Sequence, residues 1–320
     1  MTTATALAHP NIALVKYWGK RDVALNLPDV PSLSLTLDRF VTRTTVTWGA
    51  ERDEVLWNGA RSQGTACDKV LAHLDRIDPG RPAVHVDTSN NFPTAAGLAS
   101  SASGFAALTL AGLAASGQQV HIAQASALAR QGSGSACRSL WGGFVEWARG
   151  ELDDGSDSHG IPLMDEHHWD VAMVVAVVSS EKKPIGSTAA MLRSKATSPY
   201  YDTWVQTANA DVDRARAAVL TRDLEALGTV MERSTLKMHA TMHTSWPTVN
   251  YWLPGTLGCL HAVSALRQRG VGAWATMDAG PNVKVLCLRT DAQVVADALL
   301  GHVERVEILR PGGPATVDLA

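Results

Sequence analysis

The sequence predicts an α+β protein of two domains, and three observations lead to this prediction. The chain has 320 residues, which is the length of two domains of about 150 residues each. Segments with the period of strands and segments with the period of helices occur in both halves. An acidic stretch with glycines, Glu151 to His168, is typical of a loop between them. We therefore expect domains at residues 1–168 and 169–320.

The first half is predicted to contain strands, then helices. Leu33, Leu35 and Leu37 alternate with polar residues, as in a half-buried strand. Alternating or β-branched segments indicate further strands at Val41 to Trp48, Glu51 to Trp57, Val84 to Val86 and Gly142 to Trp147. The spacing of apolar residues predicts helices at Thr65 to Ile77 and Val120 to Arg130.

The second half opens on Val171 to Val178, a continuous apolar run that predicts a strand buried on both faces. Two further strands are predicted at Ala273 to Met277 and Val283 to Leu288. Helices are predicted at Asp202 to Leu220, Arg222 to Met242, Thr256 to Gln268 and Thr290 to Val303. We expect the Pro/Gly-rich tail from Pro311 to be a loose segment.

Composition and charge disfavour several classes of function. The formal net charge of −3 gives no reason to expect nucleic acid or a membrane as partner. The first residues lack a basic region followed by a long apolar core, and Val171 to Val178 is too short to cross a bilayer. The four cysteines form no paired motif, so we expect free thiols in a cytoplasmic protein without a structural metal site.

A loop that feeds a helix, Asn91 to Ala107, is the first candidate site. Pro93 and Gly97 let the backbone approach a ligand. The first helical turns carry the hydroxyls of Ser100, Ser101 and Ser103. Unpaired amides and the positive end of the helix dipole favour phosphate there. The alternative is a small-residue helix packed against a sheet, and the residues alone leave both open.

A second candidate follows the apolar segment that starts at Asn11. Lys16, Tyr17, Trp18 and Lys20 could form a cationic, hydrogen-bonding rim for an anion. Their spacing alone favours a simpler interpretation, in which a strand ends with solvated lysines and an aromatic core residue.

A third candidate is the loop from Gln131 to Ser139, where glycines alternate with Ser133 and Ser135 and Arg138 follows. Arginine binds carboxylate or phosphate through two parallel hydrogen bonds. The alternative is a flexible turn with a surface arginine. Apolar neighbours of Arg138 indicate partial burial and favour a binding role.

Two other patterns carry less weight on their own. Asp278 lies between two predicted strands, and a turn aspartate that bonds its own backbone is the favoured interpretation. His239 and His243 have helical spacing, but the glutamate of the zinc-protease motif does not follow His239. The adjacent His167 and His168 cannot chelate well from one strand, so zinc is disfavoured.

Four separated stretches together resemble one family. They are NIALVKYWGKRD at Asn11 to Asp22, the loop and helix at Asn91 to Leu108, RQGSGSACRSLWGGFVEW at Arg130 to Trp147, and TMDAGPN at Thr276 to Asn282. Their order and spacing are similar to those of diphosphomevalonate decarboxylase, a member of the GHMP kinase superfamily, along nearly the whole chain.

The resemblance implies a two-domain GHMP kinase fold, with an N-terminal domain like domain 2 of ribosomal protein S5 and a ferredoxin-like C-terminal domain. It implies a cytoplasmic homodimer that uses ATP and Mg²⁺. The implied reaction is decarboxylation of (R)-5-diphosphomevalonate to isopentenyl diphosphate in the mevalonate pathway of isoprenoid biosynthesis, with release of ADP, phosphate and CO₂.

The resemblance also assigns roles to residues by their match to the family's motifs. The catalytic residues would be Asp278, Arg138 and Lys16. ATP would be bound by Pro93, Ala96, Gly97, Leu98, Ala99, Ser100 and Ser101, with Ser101 also near Mg²⁺. The small-molecule substrate would contact Asn11, Tyr17, Trp18, Lys20, Ser133, Ser135 and Arg138.

Two departures from the family bear on the substrate. Residues 29–31 read Asp-Val-Pro before Ser32, where the family has Asn-Ser-Ser, and Thr188 lies near a position where some relatives carry arginine. The alternative substrate is mevalonate 5-phosphate, which would give isopentenyl phosphate. A kinase of the mevalonate 3-hydroxyl is less favoured because the decarboxylase residues are all present. A non-catalytic module would be expected to lose Asp278 or Arg138.

Overall fold

The protein folds into sheets flanked by helices, and the computed structural model describes residues 1–92, 100–181 and 183–319. The strands of these residues are β1 (Thr2–Ala8), β2 (Asn11–Val15), β3 (Lys20–Asp22), β4 (Leu27–Pro28), β5 (Ser32–Thr36), β6 (Thr42–Trp48), β7 (Glu54–Trp57), β8 (Ala60–Arg61), β9 (Val84–Asn90), β10 (Phe144–Trp147), β11 (Gly160–Met164), β12 (Val171–Val177), β13 (Ala273–Met277), β14 (Val283–Leu288), β15 (Arg305–Leu309) and β16 (Thr316–Leu319). The α-helices are α1 (Thr65–Ile77), α2 (Ser100–Ala115), α3 (Ile122–Gly132), α4 (Ser187–Thr197), α5 (Tyr201–Thr221), α6 (Leu224–His243), α7 (Pro254–Gln268) and α8 (Ala292–Leu300). This mixture of sheets and helices confirms the predicted α+β class.

The largest sheet of the described residues has the strand order β16-β1-β6-β9-β7-β8. Helix α2 lies on this sheet with α1 and α3 beside it, around a core that includes Val46, Val86 and Leu74. The small side chains of α2 allow a close approach, because a Cβ on Gly112 would lie 2.9 Å from Leu74. That contact joins the end of α2 to α1, whereas near the start of α2 the Ser103 hydroxyl lies 2.6 Å from the Thr42 hydroxyl of β6. The start of α2, one of the predicted phosphate-binding positions, is therefore tied to the sheet by a hydrogen bond.

An apolar core shared by both halves of the chain positions the site. Helices α5 and α6 lie between the sheet β11-β10-β5-β2 and the sheet β13-β14-β12-β15. The core joins Ile12 and Leu33 of the first sheet to Met173 of the second, with Val212 and Met231 of the two helices between them. Because α6 contacts both β2 and β13, the ends of these two strands are brought close together.

The sheet β13-β14-β12-β15 has apolar residues on both faces, as the run at Val171 predicted. Every residue of β12 is buried. Met173 and Val175 face α5 and α6, whereas Ala172 and Val174 face the core beneath α7 and α8. The hairpin of β13 and β14 pairs Thr276 with Lys284, and this pair lies on the face directed toward α6.

Most predicted elements are present, but three predictions were wrong in detail. The tail is not loose, because Thr316–Leu319 pairs with β1 in the largest sheet. The stretch Glu151 to His168 is not all loop, because Gly160–Met164 forms an edge strand beside β10. The last helix spans only Ala292–Leu300. Thr316–Leu319 pairs with a strand at the other end of the chain, and the residues of both missed strands are mostly exposed or half-buried.

None of the helices in the described residues combines the length and the apolar character that crossing a membrane would require.

Candidate active site

Asp278 follows β13 and is held between two buried lysines. Lys16 Nζ donates to Asp278 Oδ1 at 2.7 Å, and Lys284 Nζ donates to Oδ2 at 3.0 Å. Both lysine side chains are 1% exposed, whereas the aspartate side chain is 30% exposed. The carboxylate therefore reaches solvent from a cationic wall. The turn interpretation was wrong, since both carboxylate oxygens are bonded by side chains from other positions.

The charges of this cluster shift one another's pKa values. Burial alone would raise the pKa of Asp278, but the ammonium groups of Lys16 and Lys284 outweigh it and hold this pKa well below its usual range. Burial lowers the pKa of Lys16 to about 8, although Asp278 partly offsets the effect. The positive charges of Lys284 and Arg138 also contribute to this lowered pKa. At neutral pH the aspartate is ionised and Lys16 is largely charged.

The backbone of Lys16 is fixed by helix α6 and by its own strand. The Lys16 N–H donates to Ser234 Oγ at 3.0 Å, and its Nζ donates to the carbonyl of Ala13 at 2.8 Å. The pairing of β2 with β5 shifts register between Ala13 and Val15, which directs the strand end toward α6. The interpretation of Lys16 as a solvated strand-end lysine was therefore wrong.

Arg138 ends the 3₁₀ helix Gly134–Arg138 and is 2% exposed. Its Nε and Nη2 donate to Asn11 Oδ1 at 3.2 and 3.1 Å, and its Nη1 donates to Ser32 Oγ. The guanidinium lies over the Trp147 ring, with Cζ 5.6 Å from the centroid. The alternative of a surface arginine in a flexible turn was wrong, because strands β2 and β5 and an aromatic ring fix this side chain.

Arg138 and the aspartate cluster act on each other electrostatically. Burial lowers the pKa of Arg138, and the negative charge of Asp278 works against this shift. Arg138 in turn contributes to the lowered pKa of Lys16. Strand β2 connects them, because Asn11, which accepts from Arg138, begins this strand, and Lys16, which bonds Asp278, directly follows its last residue. The fold therefore brings these three predicted residues together from distant positions in the chain.

Asn11 links Arg138 to residues on both sides of it in the chain. While its Oδ1 accepts from the guanidinium, its Nδ2 donates to the carbonyl of Ser135 at 3.1 Å and to Ser139 Oγ at 2.7 Å. Asn11 is 2% exposed, so this network fixes the arginine before any ligand arrives.

Tyr17 and Trp18 point in different directions. The Tyr17 ring packs on Trp147, with centroids 4.6 Å apart, and its buried hydroxyl has no hydrogen-bond partner within the described part of the chain. Burial raises the pKa of this hydroxyl. Trp18 is 1% exposed and packs with Val30 and Trp204. Trp18 therefore shapes the segment from behind, whereas Tyr17 offers an unsatisfied donor.

Lys20 is held at the entrance of the hairpin of β3 and β4. Its Nζ donates to Asn26 Oδ1 at 2.5 Å and to Thr188 Oγ1 at 3.3 Å. Lys20 is 8% exposed, and burial, together with the charge of Lys69, lowers its pKa. The idea of a solvated lysine is therefore wrong here as well, and Thr188 occupies the place next to this cation.

The serines at the start of α2 and after α3 approach each other. Ser133 Oγ donates to Ser101 Oγ at 3.2 Å. Ser100 begins the helix, and Ser135 is half-buried in the 3₁₀ helix that carries Arg138. The other predicted ATP-binding residues lie outside the described residues: Pro93, Ala96, Gly97, Leu98 and Ala99.

Sequence reasoning missed Lys284, Ser32 and Ser139. The sequence could have indicated Lys284, because it is the second residue of β14 and pairs with Thr276 of β13. Asp278 lies two residues after Thr276, so its side chain is on the same face of the hairpin. Ser32 and Ser139 had no such signal, since each is defined by a partner more than 100 positions away in the chain, Arg138 for Ser32 and Asn11 for Ser139. Grouping His239 with His243 was correct in space, with ring centroids 5.9 Å apart. The described residues contain no cluster of three or more metal-ligating side chains.

Comparison with known proteins defines the class of this fold. The model of a diphosphomevalonate decarboxylase-like N-terminal domain matches residues 8–160, and that of a mevalonate 5-diphosphate decarboxylase C-terminal domain matches residues 173–309. The crystal structure of mevalonate diphosphate decarboxylase from Staphylococcus aureus is 35% identical, with a TM-score of 0.93 over 100% of this chain and 98% of that one. The protein therefore has the two-domain fold of the GHMP kinases.

Two further relatives narrow the class. The diphosphomevalonate decarboxylase of Aspergillus fumigatus is 38% identical over 92% of this chain and 79% of its own length. A complex of MDDEF with MVAPP, AMPPCP and magnesium is 36% identical, with a TM-score of 0.92 over 100% of this chain and 99% of that one. The chain belongs to the diphosphomevalonate decarboxylase family and is an ATP-dependent decarboxylase, which confirms the resemblance.

Proposed function

We propose that the protein converts (R)-5-diphosphomevalonate and ATP to isopentenyl diphosphate, ADP, phosphate and CO₂, and that the cluster around Asp278 performs the reaction. The observation that carries this proposal is the pairing of one partly exposed carboxylate with two buried ammonium groups. An arginine fixed in the same neighbourhood supplies the second requirement, a planar grip on the substrate carboxylate.

Asp278 orients the tertiary 3-hydroxyl of the substrate toward the terminal phosphate of ATP. Phosphoryl transfer depends mainly on positioning and on stabilisation of charge. Because its pKa is held far below the usual range, Asp278 is a weak base before substrate binds. Its main contribution is to accept a hydrogen bond from the hydroxyl, which increases electron density on the attacking oxygen.

Arg138 holds the carboxylate that leaves as CO₂. A guanidinium has five N–H donors, and the contacts to Asn11 and Ser32 occupy one hydrogen on each nitrogen. One N–H on each terminal nitrogen remains for a bidentate bond. The bidentate bond holds the C–C bond to the carboxylate in line with the breaking C–O bond. The electron pair of that C–C bond then forms the alkene as phosphate departs and CO₂ is released.

Lys16 offsets negative charge, first on Asp278 and then on the departing phosphate. It neutralises Asp278 in the resting protein and lies near Arg138. As negative charge develops on the oxygens of the departing phosphate, a preorganised ammonium group stabilises it without reorganisation.

ATP and Mg²⁺ fit the hydroxyl-lined start of α2. Ser101 is exposed there and lies against Ser133, and hydroxyl oxygens suit a cation that keeps several waters and binds phosphates. Ser101 would contact the metal, which supplies neutralisation of phosphate charge when bound. The helix start itself favours the ATP phosphates, and the remaining proposed contacts, at Pro93, Ala96, Gly97, Leu98 and Ala99, fall outside the described residues.

The 5-phosphate end of the substrate is assigned to the wall formed by Lys20, Tyr17, Ser133 and Ser135. The buried hydroxyl of Tyr17 and the ammonium of Lys20 offer donors for phosphate oxygens. Trp18 maintains the shape of the segment. The diphosphate is the proposed substrate, and mevalonate 5-phosphate is the alternative that the experiment must separate from it.

Three further properties are proposed from the family. The protein is a cytoplasmic homodimer, and light scattering at micromolar concentration would measure the mass of the particle. Its domains divide near residue 168, between the segments matched by the two family models. Limited proteolysis would test this boundary.

Release of CO₂ from the carboxyl-labelled substrate tests the proposal. Wild-type protein with ATP and Mg²⁺ should decarboxylate 5-diphosphomevalonate much faster than 5-phosphomevalonate. Asp278→Asn should lower kcat by about 100-fold or more, whereas the exposed Asp297→Asn, which contacts Gln293, should not. Activity of Asp278→Asn within a few-fold of wild type would refute the assigned role, and preference for the monophosphate would refute the assigned substrate.

A further inference from the structure

Three consecutive carbonyls of the Trp18–Lys20 segment accept hydrogen bonds from groups outside it. Trp204 Nε1 donates to the Trp18 carbonyl at 3.0 Å, and the Asp29 N–H donates to the Gly19 carbonyl at 3.2 Å. Lys195 Nζ donates to the Lys20 carbonyl at 2.7 Å. Two of these donors come from α5 and α4, in the second half of the chain, so that half fixes the backbone that carries Lys20.

Asp29 connects these contacts. Its carboxylate accepts from Lys195 Nζ at 2.8 and 3.0 Å and from the Tyr201 hydroxyl at 2.6 Å. Its own carbonyl accepts from Arg149 Nε at 3.0 Å. The Asp29 side chain is 13% exposed and Tyr201 is 5% exposed. A carboxylate so nearly buried needs its partners, because an unpaired one would be costly.

Gly19 allows this arrangement. Its φ of +100° lies in the region that side chains disfavour. A Cβ at this position would lie 1.6 Å from Tyr201 Oη and 3.0 Å from Asp29 Oδ2. The tyrosine and the aspartate therefore pack directly on the Gly19 backbone, and the peptide next to Lys20 has little freedom to move.

We propose that Asp29, Lys195 and Tyr201 form a clamp that positions Lys20 for the phosphate end of the substrate. This rests on the proposed function of Lys20. The residues of the clamp are positioning residues, because they act through the Gly19–Lys20 backbone and do not touch substrate.

The clamp predicts a selective kinetic defect. Asp29→Asn keeps the size of the side chain but removes the charge that pairs with Lys195, so Lys20 loses its fixed position. A displacement of this kind raises KM for 5-diphosphomevalonate by about tenfold, with KM for ATP within about twofold of wild type. Tyr201→Phe removes one hydrogen bond and gives a smaller rise. Lys195→Arg retains the charge that pairs with Asp29 and also gives a smaller rise.

Hydrogen–deuterium exchange supplies a readout independent of turnover. Amides at residues 19–22 should exchange faster in Asp29→Asn than in wild type, with the core strand β12 unchanged. Arg193→Gln, on the same helix as Lys195 and bonded to the Pro247 carbonyl, is the matched control and should alter neither measurement.

The two proposals fail differently. An active wild type whose KM and exchange are unchanged in Asp29→Asn overturns the clamp alone. Equal rises in both KM values overturn it too, since they indicate a general loss of structure. A wild type without decarboxylase activity overturns the proposed function and the clamp's role with it, whatever the exchange shows.

Discussion

Lys284 donates to Oδ2 of Asp278 at 3.0 Å from the opposite strand of one hairpin. Lys16, from the other half of the chain, bonds the other carboxylate oxygen at 2.7 Å. The aspartate thus has one local and one distant counter-charge, and both lysines are buried. This arrangement favours ionised Asp278 at any pH near neutrality and makes Lys16 the group whose charge is sensitive to pH.

Replacement of Lys284 should move the alkaline limit of activity. The pKa of Lys16 is about 8 in the fold, so charged Lys16, and with it kcat/KM, should decline as pH rises through that value. The charge of Lys284 lowers this pKa. Lys284→Met should therefore shift the alkaline limb upward by roughly one pH unit, measured from the pH profile of kcat/KM.

The control for this profile is Arg305→Met, which removes an exposed cation that lies beside Glu307. It should leave the limb at its wild-type position. A limb that stays in place in Lys284→Met, or one that moves downward, contradicts the electrostatic coupling of the two lysines.

Arg138→Lys should impair decarboxylation more than it impairs phosphoryl transfer from ATP. Lysine keeps the positive charge but loses the planar fork that fixes the leaving carboxylate. CO₂ release should fall by about 100-fold, and ADP formation should fall less, so that the ratio of CO₂ to ADP drops below one. Simultaneous assay of both products measures this ratio. Arg310→Lys, at an exposed ion pair with Asp38, should keep the ratio at one.

Arg216 should contribute to stability and not to catalysis. It bonds both oxygens of Glu146 at 3.0 and 2.9 Å, and the Glu146 side chain is only 11% exposed. Arg216→Met leaves that carboxylate without its partner and should lower the free energy of unfolding by about 2 kcal/mol. Denaturant unfolding measures the loss, and kcat should not change.

Asp213 provides a control at the same arginine. Its side chain is 67% exposed, and exposed ion pairs contribute less than about 1 kcal/mol. If Asp213→Asn costs as much as Arg216→Met, burial of Glu146 is not the source of the stabilisation.

His73 should make the protein sensitive to acid. It is fully buried beside Thr109, and burial lowers its pKa from 6.5 to about 3. Below pH 6.5 the unfolded chain binds a proton that the folded chain does not, so this contribution to stability is lost as pH falls, at about 1.4 kcal/mol per pH unit. His73→Gln should remove this part of the slope of unfolding free energy between pH 6.5 and 4.5.

The exposed His167 is the comparison for this slope, because its side chain is 85% exposed. His167→Gln should reproduce the wild-type slope. An unchanged slope in His73→Gln would show that the buried imidazole is not the acid-sensitive group.

The sequence predicted those elements whose signals are local. The hairpin strands Ala273–Met277 and Val283–Leu288 were predicted to the residue, because two mostly apolar segments are joined by a turn of Asp, Ala, Gly, Pro and Asn. The strand at Thr316–Leu319 was missed because it is defined by its partner β1. An edge strand with exposed side chains carries no pattern of its own.

The sequence motifs determined the family, and their match to the family's motifs indicated the candidate site residues. Tertiary structure alone decided that Lys16 and Lys20 are buried and paired, where local spacing had favoured solvated lysines. For Arg138 the apolar neighbours had indicated partial burial, and the tertiary structure supplied its partners Asn11 and Ser32. Burial depends on chain segments hundreds of residues away, such as the strand that brings Asp278 to Lys16. A charge's surroundings, and therefore its pKa and its chemistry, are properties of the packed molecule and are not encoded in its immediate neighbours.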